Sequence, residues 1–300
     1  MSCDYERKRG WKSKPRAIVT GGAGFIGTHL CTKLVNHCQV VCLDVLKPAE
    51  DVLWKGIGYN QGHTTKFTHY MENCGWHWPL DVVYHLGECS RVTPSFDNIE
   101  EYYRSNMQGT FEVLQYCAKN NVKFVYAGSS ASLSEGGMSD SPYSFMKTVN
   151  TELVKNYGEW YGLNYAIAYF YNVYGPEASV DGNSSVINQF EQQYTAGQPL
   201  TVVKPGTQMR SYTHVDDIVS GLIAIGKKTD NGVYHLGARD QYSLMDIVDM
   251  FDCKYNMLPE RPGDRATSAI PSSSNITFPC GTEWTPQINL HDYINDIKSK

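Results

Sequence analysis

The run Thr20-Gly21-Gly22-Ala23-Gly24-Phe25-Ile26-Gly27 constrains this chain more than any other stretch. It follows a β-rich run, residues 16–20, and opens a helical stretch over about residues 25–36. Glycines in that context let a backbone approach a pyrophosphate and let the helix pack tightly on the strand. The helix N-terminus then offers its N–H groups and its dipole to phosphates. Asp44 ends the next β-rich run, twenty residues beyond Gly24. An acid there accepts hydrogen bonds from both ribose hydroxyls and repels a 2′-phosphate, so the motif predicts NAD rather than NADP.

The first half goes on alternating strands (39–43, 81–86, 122–127, 164–169) with helices (98–119 and 143–161). Strands alternating with helices predict parallel strands with crossover helices, hence a doubly wound α/β sheet. After about Tyr174 the texture changes, with Gly, Pro, Asp and Ser clustered at 175–185 and 259–274 and shorter helices at 215–227 and 243–251. The expected organisation is a polar N-terminal extension at 1–14, a nucleotide-binding domain at 15–174 with segments returning from the second half, and a smaller C-terminal lobe, mainly 175–300, closing over the carboxyl ends of the strands.

Composition excludes several classes. Hydrophobic residues make up 41% and charged residues 19%, which is incompatible with wholesale disorder. The net charge of −5 argues against a general binder of nucleic acid or acidic membranes. No apolar run is long enough to span a bilayer, and residues 1–14 lack the apolar core of a secretory signal. The nine cysteines are scattered without a C-x-x-C, so reduced thiols in a cytoplasmic setting are expected, and the Asn183 and Asn275 sequons read as chance matches. The histidines form no metal constellation, and no metal is expected. His214, ahead of the 215–227 helix, reads as structural.

Tyr143-x-x-x-Lys147 places a phenol and an ammonium on one helix face. A free tyrosine is a poor base at neutral pH, and a neighbouring ammonium and a nicotinamide cation favour the phenolate. The lysine can also hold the nicotinamide ribose. Gly128-Ser129-Ser130-Ala131 follows the 122–127 strand, where ligands of a parallel sheet bind. Ser130 is the preferred hydroxyl partner and Ser129 its competitor.

The glycine run, Asp44, the Ser-Ser-Ala loop, Pro142-Tyr143-x-x-x-Lys147 and Asn172-Val173-Tyr174-Gly175-Pro176, in this order, resemble the extended short-chain dehydrogenase/reductases. Within them the chain is most similar to the NAD-dependent nucleotide-sugar epimerases and dehydratases of the UDP-glucose (UDP-galactose) 4-epimerase kind. The resemblance spans about residues 15–300 and implies a Rossmann-like fold with a substrate-binding lobe. It implies that Gly21, Gly24, Phe25, Ile26, Gly27, Asp44, Leu86, Gly87, Glu88, Ser90, Asn106, Gly128, Ser129, Phe170, Tyr143 and Lys147 bind NAD. It further implies that Ser130, Tyr143, Asn172, Ser185, Val186, Arg210, Tyr212, Arg261 and Asp264 bind the sugar nucleotide, the arginines forking onto its diphosphate. Tyr171 falls beside the nicotinamide position. A homodimer formed by the 98–119 and 143–161 helices is also implied.

The implied reaction is epimerisation at C4 of a UDP-glucose/UDP-galactose-type sugar through a transient 4-keto sugar, with Ser130, Tyr143 and Lys147 as catalytic residues. The alternatives are 4,6-dehydration, decarboxylation or reduction of a similar nucleotide sugar, or a non-catalytic NAD- or nucleotide-binding role. Ala131 and Ser132 stand where the dehydratases carry an Asp-Glu pair, which favours epimerisation. Glu88 and Glu135 remain as carboxylates able to enter the site. The sequence departs from the family in four places: the segment between Ser130 and Tyr143 is short, His85-Leu86-Gly87-Glu88 replaces His-Leu-Ala-Ala, Tyr70-Met71 falls roughly where an acid meets adenine, and Trp76 and Trp78 sit in an unusual segment that reads as a packed aromatic cluster.

Overall fold

The structure, a computed structural model, describes residues 14–47, 56–73, 79–133, 137–176, 185–261 and 283–300. Strand β1 (Arg16–Thr20) leads through the glycine turn into helix α1 (Phe25–Leu34), then β2 (Gln39–Asp44), β3 (Ile57–Gln61), α2 (Phe67–Asn73) and β4 (Val82–His85). Two short helical turns and a π-helical segment at 103–109 run into α3 (Thr110–Asn120). Then come β5 (Lys123–Ser129), α4 (Pro142–Tyr161), β6 (Tyr165–Phe170) and β7 (Asn172–Tyr174). The second half holds α5 (Val186–Thr195), β8 (Leu200–Val203), β9 (Arg210–His214), α6 (Val215–Gly226), β10 (Gly232–Leu236), β11 (Gln241–Tyr242), α7 (Leu244–Phe251), β12 (Tyr255–Leu258) and α8 (Leu290–Lys298).

Seven strands form one parallel sheet in the order β3-β2-β1-β4-β5-β6-β10. The order reverses direction between β1 and β4, the crevice where such sheets bind ligands. Successive residues of β1 serve opposite faces, as a strand's period of two requires. Ala17 and Val19 pack with Leu30 and Leu34 of α1 and Ile218 and Leu222 of α6. Ile18, with Val41 and Val83, faces Val113 and Leu114 of α3 and Val154 of α4. The sheet is thus covered on both sides, which explains its nearly continuous apolar strands.

The C-terminal lobe has its own core, with Phe190, Leu200, Phe251 and Ile294 at its centre. It holds two small sheets, β7-β9-β11 and β8-β12. The second half also returns to the first: β10 extends the main sheet beside β6, and α6 packs on α1. The sequence reading placed most strands and helices of the first half within a few residues. It did not place β3, and the predicted 98–119 helix is broken into short turns and a π segment before α3.

Two glycines fix the nucleotide turn. Gly21 has φ +68°, and a Cβ there would lie 2.7 Å from the Leu86 backbone. A Cβ on Gly27 would lie 2.0 Å from the Gly21 carbonyl oxygen, so α1 can start this close to β1 only with glycine. Gly27→Ala is expected to lower stability by about 1–3 kcal/mol through overpacking. A urea titration checks this, the midpoint falling with little change in slope.

Candidate active site

A cavity of about 660 Å³ opens over the carboxyl ends of β1, β2, β4, β5 and β6. At one end stands the glycine turn, with Gly21, Gly24, Phe25, Ile26 and Gly27 in the wall. Gly24 differs from its neighbours: a Cβ there would meet only the Gly21 carbonyl oxygen, at 3.3 Å. A Cβ there would be tight against that single atom, and the bare backbone leaves room in the cavity wall. Asp44 accepts the Ala23 and Leu46 N–H groups at 2.9 Å, one on each carboxylate oxygen. This turn, carboxylate and open backbone fit a dinucleotide.

Local capping aims the second group of residues. Ser141 Oγ accepts the Ser144 N–H at 3.1 Å, Pro142 occupies the first turn, and Gly162 ends α4 in a left-handed conformation. Tyr143 and Lys147 therefore lie one turn apart at the cavity end of α4, both buried and both in the cavity wall. Ser129, Ser130 and Gly128 leave β5 into the same wall, beside Phe170, Tyr171 and Asn172 at the β6–β7 step. Ser185, Val186, Arg210 and Tyr212 close the other end. Ser185 Oγ also caps α5 by accepting the Asn188 N–H at 3.2 Å, and Asn172 Nδ2 donates to the Ser211 carbonyl at 3.2 Å.

Leu86, Gly87, Glu88 and Ser90 also line the cavity. The Glu88 carboxylate is only 2% exposed and forms an ion pair with Lys147 Nζ. It accepts hydrogen bonds from Thr110 Oγ1, from the Tyr126 hydroxyl at 3.2 Å and from Asn150 Nδ2 at 3.0 Å. Lys147 also donates to the Ala127 carbonyl at 2.6 Å, and its Nζ lies 5.9 Å from the Tyr143 ring centre. Burial pulls the Lys147 ammonium down, while the Glu88 carboxylate and the Tyr143 phenol raise it; the net direction is upward. The Glu88 carboxylate thus meets the site through Lys147 and is taken up by four donors.

Other expectations are redirected. Asn106, expected at the cofactor, is wholly buried in the π segment and absent from the cavity wall. Its side chain bonds the Cys89 N–H at 2.8 Å and the Cys89 carbonyl at 2.9 Å, so it holds the loop that does line the cavity. Arg261 is exposed and does not line the cavity. Asp264, Trp76, Trp78 and Glu135 lie outside the described residues. Tyr70 and Met71, which fall roughly where the family's acid meets adenine, pack against the core, and Gly62, His63 and Thr64 after β3 line the cavity. His214 is an N-cap, its Nδ1 accepting the Asp216 N–H at 3.2 Å. Among the described residues no three His, Cys, Asp or Glu side chains cluster as metal ligands, and no helix is long and apolar enough to cross a membrane.

Sequence reasoning missed the polar chain behind the site. Gly87 N–H donates to Thr20 Oγ1, which pairs with His85 Nδ1 at 2.8 Å; His85 Nε2 pairs with Thr110 Oγ1 at 2.9 Å. Since Thr110 gives its proton to Glu88, it accepts from His85, which fixes the proton on Nε2. Burial pushes His85 down to about 4, so it is uncharged at neutral pH. A histidine and a tyrosine inside apolar strands were the available signal, since buried polar groups must find partners.

The chain matches the NAD dependent epimerase/dehydratase family over residues 17–237. It belongs to that family. NAD is therefore its cofactor, and it is an enzyme of the NAD-dependent epimerase/dehydratase type. It is 25% identical to UDP-glucuronic acid decarboxylase 6 of Arabidopsis thaliana, over 97% of this chain and 90% of that protein. It is 28% identical to a putative UDP-glucose 4-epimerase of Methanocaldococcus jannaschii, over 93% of this chain and 96% of that one. Its fold superposes with a TM-score of 0.82 on the UDP-glucose 4-epimerase of Thermotoga maritima solved with UDP-glucose, at 23% identity, covering 93% of this chain and 96% of that one.

Burial also lowers His63, His214 and His235. In the unfolded chain a histidine titrates near 6.5, so below that pH the unfolded state binds more protons. Folding stability is expected to fall as pH drops from about 6.5 towards the value near 4 that His85 shows in the fold. A lower urea midpoint at about pH 5 than at about pH 7 checks this, and the imidazole NMR resonance of His85 should stay that of a neutral ring throughout.

Proposed function

We propose that the enzyme epimerises C4 of a nucleotide-diphosphate sugar of the UDP-glucose/UDP-galactose type through a transient 4-keto sugar. The carrying observation is the convergence of Ser130, Tyr143 and Lys147 on one cavity wall between the glycine turn and Arg210. NAD, when bound, supplies the hydride acceptor and returns the hydride. The Tyr143 phenolate oxygen takes the proton from the sugar O4 as the hydride leaves C4 and returns that proton as the hydride comes back, while Ser130 Oγ orients O4. The glycine turn and Asp44 hold the dinucleotide, and Lys147 sits where it can bond its ribose. Arg210 and Asn172 hold the sugar diphosphate; Ser185, Val186 and Tyr212 enclose that end. Of the wall's carboxylates, Asp44 bonds the glycine turn, Glu88 is buried on Lys147, and Glu101 lies beside His63. Among the described residues, this distribution favours epimerisation over reactions that need a second acid at the sugar; Glu135 lies outside them.

Decarboxylation of a hexuronate is the second reading, supported by the similarity to a UDP-glucuronic acid decarboxylase. NMR of the protein with NAD and UDP-glucose, UDP-galactose, UDP-glucuronate and N-acetyl sugars separates the two. Interconversion of a C4 pair without net NADH supports epimerisation; loss of CO2 replaces it with decarboxylation. Tyr143→Phe is expected to lower kcat by about 10²–10⁴-fold, the usual contribution of a positioned acid–base. Sugar-nucleotide binding that survives in the variant would show that turnover, not affinity, was lost. A wild type that binds nucleotide but turns over no sugar would favour the non-catalytic reading.

The enzyme is also proposed to be a homodimer. Ile99, Tyr103 and Phe111 on one helical stretch and Phe145, Trp160 and Tyr161 on α4 are large apolar side chains left exposed. Light scattering should give twice the 33.8 kDa chain mass. Phe145→Glu should shift it towards the monomer.

A further inference from the structure

Glu88 brings a full negative charge to the proton-transfer helix. Its two oxygens meet the Lys147 ammonium, the Thr110 and Tyr126 hydroxyls and the Asn150 amide, all able to donate. That is the surrounding of an ionised, acceptor-only carboxylate. Asn150 confirms the sense of the arrangement: its Nδ2 serves both Glu88 and the Asn106 carbonyl, at 2.7 Å, while its Oδ1 is buried without a hydrogen-bond partner. Turning the amide over would set two acceptors against each other.

Burial holds several neighbouring titratable groups in their neutral form. His85 on β4 is held neutral. Burial raises the Cys89 thiol and the Tyr102 and Tyr126 hydroxyls. Glu101 and Arg91 act on Cys89 and Tyr102 from the periphery. At the centre, Lys147 and Glu88 form the ion pair that stands beside Tyr143.

We propose that Glu88 is a positioning residue for proton transfer, fixing Lys147 through a buried ion pair and cancelling the lysine charge beside Tyr143. This rests on the role proposed above for Tyr143. An unpaired ammonium favours a nearby phenolate, whereas one paired with a carboxylate presents little net charge. Removing the negative charge makes either proton of the Lys147–Tyr143 pair easier to lose. Both limbs of a pH–rate profile then move to lower pH in a neutral variant. A carboxylate that only packs would change stability or kcat and leave the limbs in place.

The test reads Tyr143 without any sugar. The tyrosinate ultraviolet absorbance of the NAD-loaded protein is titrated, with the matching Tyr143→Phe protein as blank. In Glu88→Gln the Tyr143 midpoint should lie at least about one pH unit below wild type, roughly tenfold more phenolate at a given lower pH. Glu88→Ala, which lets water reach Lys147, should shift it the same way and serves if the amide is not tolerated against the ammonium. Glu88→Asp, which keeps the charge, should stay within about half a unit of wild type. An unchanged midpoint in a folded neutral variant overturns the proposal, and so does a raised one. If the midpoint falls but the wild type turns over no sugar, the charge cancellation stands and the epimerase reading fails by itself.

Discussion

The close contact between the glycine turn and the loop after β4 is the constraint on which the site is built. With no side chain on Gly21 or Gly27, α1 starts against the end of β1, and the turn lies on the Leu86–Gly87 backbone. That closeness puts the Gly87 N–H within 3.1 Å of Thr20 Oγ1. Thr20 then addresses His85, His85 addresses Thr110, and Thr110 addresses Glu88. One steric requirement of the nucleotide turn is thereby transmitted as hydrogen bonds to Lys147 on α4. Each donor has one acceptor open to it, so the chain has one direction.

Burying two charges is costly, and a buried ion pair is weak evidence of stability. What the pair supplies here is registry. It joins the loop after β4, Tyr126 and Ala127 of β5, the start of α3 and two turns of α4 at one point. Hydrophobic contacts alone would allow α4 to slide on the sheet by fractions of a turn at little cost. A carboxylate with four donors does not, because each shift leaves a buried donor unmatched. The unpartnered Asn150 Oδ1 is the residual cost of that arrangement.

Much of this was legible in the sequence wherever spacing carries the information. The glycine turn, Asp44 and the Tyr143–Lys147 pair follow from local periods and caps, and the cavity brings them together. β3 was not legible because Ile57-Gly58-Tyr59-Asn60-Gln61 is a half-exposed edge strand without an apolar run. Its place mattered, since it sets Gly62, His63 and Thr64 rather than Tyr70 and Met71 in the cavity wall. The destination of Glu88 was illegible for a different reason. Position in a loop at the carboxyl end of a strand says that the backbone reaches the ligand, not which way the side chain turns. Three of its partners, Thr110, Tyr126 and Asn150, are distant in sequence and individually unremarkable.

The second half of the chain then limits how the site can move. β7 starts two residues after β6 ends and pairs in parallel with β9, so Asn172 lies opposite Tyr212. Beyond it, β10 extends the main sheet, and the buried carboxylate of Asp217 accepts the Gln287 and Ile288 N–H groups at 3.0 Å. Trp284 donates to Ser220 on the same helix, α6, which packs on α1. The lobe that would hold the sugar diphosphate is thus joined to the sheet through β10 and α6. On the proposed reading, a 4-keto sugar must present its other face without the lobe swinging away. On that reading we infer that the sugar turns between these walls while its diphosphate stays at Arg210.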